Sequence, residues 1–331
     1  MERFALAAAV VLGFALTAAL CSLFVPLRRV LERREQQQQP VQSEQPRPAP
    51  LRAPLWGGLC AAAGTVAAVG VGWLAACVGR PELLGSESRL MVRLLTALAG
   101  SLAFGAVGLA EDLARMRSPA ALGLRRDVRL LLEALAAAFV LLLLQAAGCL
   151  PRGLGVPGAG YVLLGGAVPL LWAVLMVTLA ECARVAERDE GTVCGAAFAA
   201  MLALMMVEAG LGVPGLAVLP GALAGALVAL GLWTFPPAKL GAGCCGSLLA
   251  AGAIGCIPLS LDMTSLTVPL ALPFWAAGGL WAAQLLCAKR TGKPLRCWVK
   301  KHKMSPETVF LCSFALSAVG YVLALALLRW C

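Results

Sequence analysis

Charge is scarce in this chain of 331 residues: Asp, Glu, Lys and Arg make up 13% of it, against 60% hydrophobic residues. A soluble domain carries about a quarter charged residues, so a soluble globular class is excluded. Aromatic residues are also few, and no basic stripe is interleaved with them, which argues against a nucleic-acid partner. Histidine is nearly missing; His302 stands alone and is a weak signal by itself. No internal repeat and no zinc-finger spacing is visible, although thirteen cysteines are present. Most of them, including Cys21, Cys60, Cys149, Cys194, Cys256 and Cys312, lie inside apolar runs, where a thiol packs as a small hydrophobe. Cys244 and Cys245 with Cys182 offer a soft-metal set on paper. Small residues in a tight turn are the plainer reading.

What the chain does have is long apolar runs. Crossing a ~30 Å hydrocarbon core takes about 20 residues as a helix, and ten segments qualify: 4–27, 54–78, 90–111, 128–150, 161–182, 192–210, 213–233, 245–262, 266–288 and 308–329. Each is expected to be helical, because open strand edges stay unsatisfied in lipid. The fold class is therefore an all-α integral membrane protein, a polytopic bundle in one domain over 1–331. Arg28 and Arg29 behind the first run make it a retained anchor rather than a cleaved leader. Residues 35–53, rich in Gln and Pro, cannot build a core and are expected to form a flexible loop.

Orientation follows from the basic residues. With the N-terminus outside, 21 of the 27 Lys and Arg fall on inner segments and 6 on outer ones, as the positive-inside rule requires. The net charge of +10 then belongs to one membrane face, where anionic lipid heads and phosphorylated substrates are met. A bacterial cytoplasmic membrane with the basic loops inside is the expected location.

The inner segments carry an ordered set of motifs. "APLWGG" (Ala53 to Gly58) opens the second run, "GLAEDLARM" (Gly108 to Met116) closes the third, and "LGLRRDVRLLLEALAA" (Leu122 to Ala137) leads into the fourth. "FPPAKLGAGCCGS" (Phe235 to Ser247) precedes the eighth, and "KRTGKPLRCWVKKHK" (Lys289 to Lys303) follows the ninth. In this order they resemble the inner loops of the polyprenyl-phosphate hexosamine-1-phosphate transferases, glycosyl transferase family 4, to which phospho-N-acetylmuramoyl-pentapeptide transferase belongs. The resemblance implies transfer of a sugar phosphate from a UDP-sugar to a lipid phosphate, with Mg²⁺ bridging the diphosphate and UMP leaving. It also implies a polyprenyl phosphate partner, a nucleotide-sugar partner and the surrounding bilayer, and it leaves a homodimer open.

The resemblance places the catalytic carboxylates on Glu111, Asp112 and Glu181, with Asp112 matching a metal-binding Asp. It places substrate contacts on Lys239, Arg129, Lys300 and His302. Departures gather at these same positions. Glu111 stands for an Asp, and in "LMVTLAECARVA" (Leu175 to Ala186) Leu175 and Thr178 stand for Asn, Glu181 for Asp and Arg184 for Asp. Cys244 stands at a metal-binding Asp, a soft donor where Mg²⁺ requires hard oxygen. The expected result is a degenerate member of the family with catalysis impaired, still able to bind polyprenyl phosphate or nucleotide sugar in cell-envelope synthesis. Its alternative is an active divergent transferase using Glu111, Asp112 and Glu181 in a rearranged Mg²⁺ site. A small-molecule transporter fits the span count, but no broken helix pair is apparent from sequence.

Two local expectations complete the reading. Glu111, Asp112 and Glu181 should converge on one cleft with Cys244 at its rim. Glu133, one turn inside the fourth run, needs a partner there, and Arg129 at i−4 is the expected one.

Overall fold

The computed structural model of the chain describes residues 2–38, 56–79, 88–117, 123–156, 160–163, 165–187, 192–235, 239–291 and 305–330. Its helices are α1 (Glu2–Gln38), α2 (Gly57–Gly79), α3 (Ser88–Arg117), α4 (Arg126–Ala146), α5 (Ala167–Ala186), α6 (Thr192–Gly210), α7 (Pro214–Thr234) and α8 (Gly243–Ser260). They continue with α9 (Thr267–Leu270), α10 (Leu272–Thr291) and α11 (Pro306–Trp330). Among the described residues eight helices are long and apolar enough to cross a membrane, and nine if the bent pair near α9 counts as one span. The chain is a helical multi-pass membrane protein, and among the described residues one small hairpin is the exception.

Besides the span count, eight or nine among the described residues where ten were expected, three details differ from the sequence expectation. The first helix runs on to Gln38, four residues into the segment expected to be a loop. Glu, Arg and Gln hold a helix well; the rest of that loop lies outside the described residues. The ninth run is broken: a 3₁₀ turn at Thr264–Leu266 and α9 meet α10 at 64°. Pro273 has no N–H for the Pro269 carbonyl four residues back, and its ring clashes there. A Cβ at Gly320 would fall on that same Pro269 oxygen, so α11 packs close against that carbonyl. Between α4 and α5, β1 (Gly153–Val156) pairs antiparallel with β2 (Gly160–Leu163), Gly153 opposite Leu163. The Tyr161 hydroxyl ties this hairpin to Asp262 at the far end of α8, 3.1 Å from each carboxylate oxygen.

The centre of the bundle is α8. Every one of its residues is buried, and its Gly, Ala and Cys let neighbouring backbones approach closely, as small residues do inside membranes. Its most extensive partner is α3. Ser101, Gly105 and Gly108 of α3 face Gly252, Leu249 and Cys244 in turn. A Cβ at Gly108 would land on the Cys244 carbonyl oxygen, with its carbon and the next nitrogen close behind. Gly108→Ala is thus expected to destabilise the chain by about 1–3 kcal/mol, since backbone cannot move aside as a side chain can. The gain of about 1 kcal/mol in helix propensity is too small to reverse the sign. A thermal melt in detergent showing an unchanged or higher midpoint would contradict this close approach.

Candidate functional site

At the arginine-rich end of the bundle, the last two turns of α3 meet the first turn of α8. The Asp112 side chain is only 1% exposed. Its Oδ1 accepts the Cys244 N–H at 3.0 Å and its Oδ2 accepts the Cys245 N–H at 2.9 Å. The first N–H groups of a helix have no partner within it and carry partial positive charge. A carboxylate from a second helix therefore satisfies two of them and pins α3 to α8. Gly108, one turn earlier on the same face, brings the backbones close enough for so short a side chain to reach.

Around this cap lies a network of arginines and glutamates. Glu111 Oε1 accepts from Arg115 at 2.8 Å, and the Arg129 guanidinium stands 3.7 Å from the same oxygen. Arg129 Nε donates to Glu181 Oε1 at 2.7 Å, while Arg184 donates to Glu181 Oε2. Arg115 also reaches Asp112 at 3.9 Å and Glu187 at 3.5 Å. The Cys244 thiol donates to Glu187 Oε2 at 3.4 Å. Arg129 thus ties α4 to both α3 and α5 through ion pairs. Because α4 begins at Arg126, Arg129 sits in its first turn and points at the C-terminal end of α5.

Most of the residues singled out from sequence meet here: Glu111, Asp112, Glu181, Arg129, Arg184 and Cys244 form one connected set. Cys244 is wholly buried rather than at a rim, and its backbone N–H, not its thiol, holds Asp112. Arg129 does not pair with Glu133; its guanidinium is drawn across the helix gap by Glu181. Both Glu133 oxygens are buried without a hydrogen-bond partner, as are Glu111 Oε2 and Arg184 Nε. Thr178 bonds back to the carbonyls of Val174 and Leu175 on its own helix. The Lys239 side chain, in the α7–α8 connection, is exposed, its ammonium 5.7 Å above the Trp233 ring. Lys300 and His302 lie outside the described residues. Cys182 packs against Gly278 of α10 instead of joining Cys244 and Cys245.

Two members of the network were not singled out. Arg115 had a signal, its i+4 and i+3 spacing from Glu111 and Asp112. Glu187 had none, since it reaches Arg115 and Cys244 only through the fold.

The donor set does not suit Mg²⁺. Mg²⁺ needs near-octahedral hard oxygen at short range. Both Asp112 oxygens are committed to α8 amides, both Glu181 oxygens to guanidinium groups, and Cys244 adds sulfur. Among the described residues no group of three or more His, Cys, Asp or Glu is placed to hold a metal ion.

Residues 94–262, from α3 to the end of α8, match the family model described as Glycosyl transferase family 4. That stretch contains the whole network. A comparison with curated proteins finds no match.

Proposed function

Because the chain belongs to glycosyl transferase family 4, we propose that it binds a polyprenyl phosphate at its arginine-rich end, or a nucleotide sugar there, without Mg²⁺-dependent sugar-phosphate transfer. The observation that carries this reading is the commitment of the carboxylates. Glu111 is held by Arg115, Glu181 by Arg129 and Arg184, and Asp112 by two backbone amides. Loss of one positioned acid or base costs on the order of 10²–10⁴ in rate, and here none of the three is free with both oxygens. Binding needs less. Arg125, Arg126 and Lys239 are exposed at the same end, and exposed cations near a membrane surface attract anionic headgroups by about 1 kcal/mol each. A cytoplasmic-membrane protein with this end inside, acting in cell-envelope synthesis, fits the distribution of charge.

The test uses the purified full chain with UDP-N-acetylhexosamines, undecaprenyl phosphate, and Mg²⁺ or Mn²⁺, followed for UMP. The expected result is no UMP above background, together with undecaprenyl phosphate binding that Arg126→Glu and Lys239→Glu weaken. One atom favours the second reading, an active divergent transferase: Glu111 Oε2 is buried beside Asp112 with no partner. Metal-dependent UMP release that Glu111→Gln abolishes would establish that reading instead.

A further inference from the structure

The structure assigns to Arg184, acting with Arg129, the place of a divalent cation: the charge that holds these carboxylates together is supplied from within the chain. This inference rests on the reading of a site that does not take up Mg²⁺, and it names what replaces the ion. The two oxygens of Glu181 each hold one guanidinium, Oε1 that of Arg129 and Oε2 that of Arg184. Two unit charges thus converge on one carboxylate, the same total that a divalent ion would bring. The geometry is also that of a bridging ion. Arg129 touches Glu181 of α5 and approaches Glu111 of α3 from α4, so one group cross-links three helices. Both guanidinium groups are largely removed from solvent, with side chains 8% and 10% exposed. At such depth attraction between unlike charges is screened far less than at a surface.

The competition with a metal can be stated atom by atom. Glu111 Oε2 and both oxygens of Glu133 are buried and unpartnered, so hard donors are present near the network. What an approaching divalent ion meets is Arg184 on Glu181 Oε2 and Arg129 on Oε1. Like charge repels it, and neither oxygen is open. Removing the Arg184 charge frees Glu181 Oε2 and lowers the repulsion in one step. Replacing Arg184 with Asp also supplies a further hard oxygen donor. A single position then decides whether this end of the bundle is held by an internal cation or by a captured one.

Mn²⁺ serves as the probe, because its free and bound forms differ in electron paramagnetic resonance. The full-length chain in detergent is titrated with Mn²⁺ and separately melted with Mn²⁺ or with EDTA. Wild type and Arg184→Lys, which keep the cation, are expected to bind no stoichiometric Mn²⁺ and to melt alike in both conditions. Arg184→Asp is expected to melt several degrees lower in EDTA, to take up Mn²⁺ stoichiometrically, and to regain most of the lost midpoint with it. Should Arg184→Asp not fold, Arg184→Met carries the same comparison with the charge removed and the bulk kept. Stoichiometric Mn²⁺ on the wild type, or a charge-removing variant (Arg184→Asp or Arg184→Met) whose loss of stability Mn²⁺ does not repair, overturns the inference. Neither readout involves lipid or nucleotide, so this result stands apart from that of the transfer assay.

Discussion

Asp112→Ala is expected to destabilise the full chain by about 3–6 kcal/mol, summing two hydrogen bonds to a charged acceptor at roughly 1.5–3 kcal/mol each. An exposed helix cap is worth only about 1 kcal/mol, because water replaces it when it is deleted. Here the donating amides of Cys244 and Cys245 lie at the buried end of α8, where no such replacement is at hand. Asp112→Asn should fall in between: one amide oxygen still accepts, while the NH₂ group faces the other backbone N–H. The measurement is a reversible unfolding titration in mixed micelles. It separates two roles that an activity assay merges, since a residue acting only on substrate would leave stability unchanged. A loss below about 1 kcal/mol, the value of an ordinary cap, would show that Asp112 is not what holds α3 to α8.

Arg129→Met should have an effect of similar size, about 3–5 kcal/mol, the usual cost of leaving one member of a buried ion pair without its partner. Glu181 would keep Arg184 and Glu111 would keep Arg115, but the ion pairs from α4 to both glutamates would be gone. Met fills much of the same volume, so the loss reports charge and hydrogen bonding rather than a cavity. Arg129→Lys should recover part of it, returning the charge without the Nε geometry that meets Glu181 at 2.7 Å. Equal stability of Arg129→Met and wild type would mean that the network is held together without its bridge.

Helix existence was legible because a lipid-spanning run needs only length and apolarity, and each of the ten runs holds a helix. The break near Pro269 and Pro273 was not read, since a window of about 20 residues averages over one missing N–H. The hairpin at 153–163 went unread for a related reason: four-residue strands rich in Gly leave almost no pattern. At the site, motif order brought Glu111, Asp112, Glu181 and Cys244 to one end of the bundle. Their partners were less readable. The i,i+4 rule paired Arg129 with Glu133, as it would on an isolated helix, yet the side chain crosses to α5. Cys244 was judged by its thiol, whereas the group that matters is its backbone N–H, which any residue but Pro would supply.

The complete burial of α8 also bears on how the chain assembles during synthesis. Four of the helices it packs against, α2, α3, α5 and α6, precede it in the chain. Spans enter the bilayer in order of synthesis and then associate. Those four must therefore leave a helix-wide vacancy until residue 260 has emerged. α8 is a keystone, and its narrow Gly, Ala and Cys profile suits insertion between walls already standing. A chain ending before Gly243 would lack the two amides that quench Asp112, so an incomplete product would expose an acid in a half-built wall.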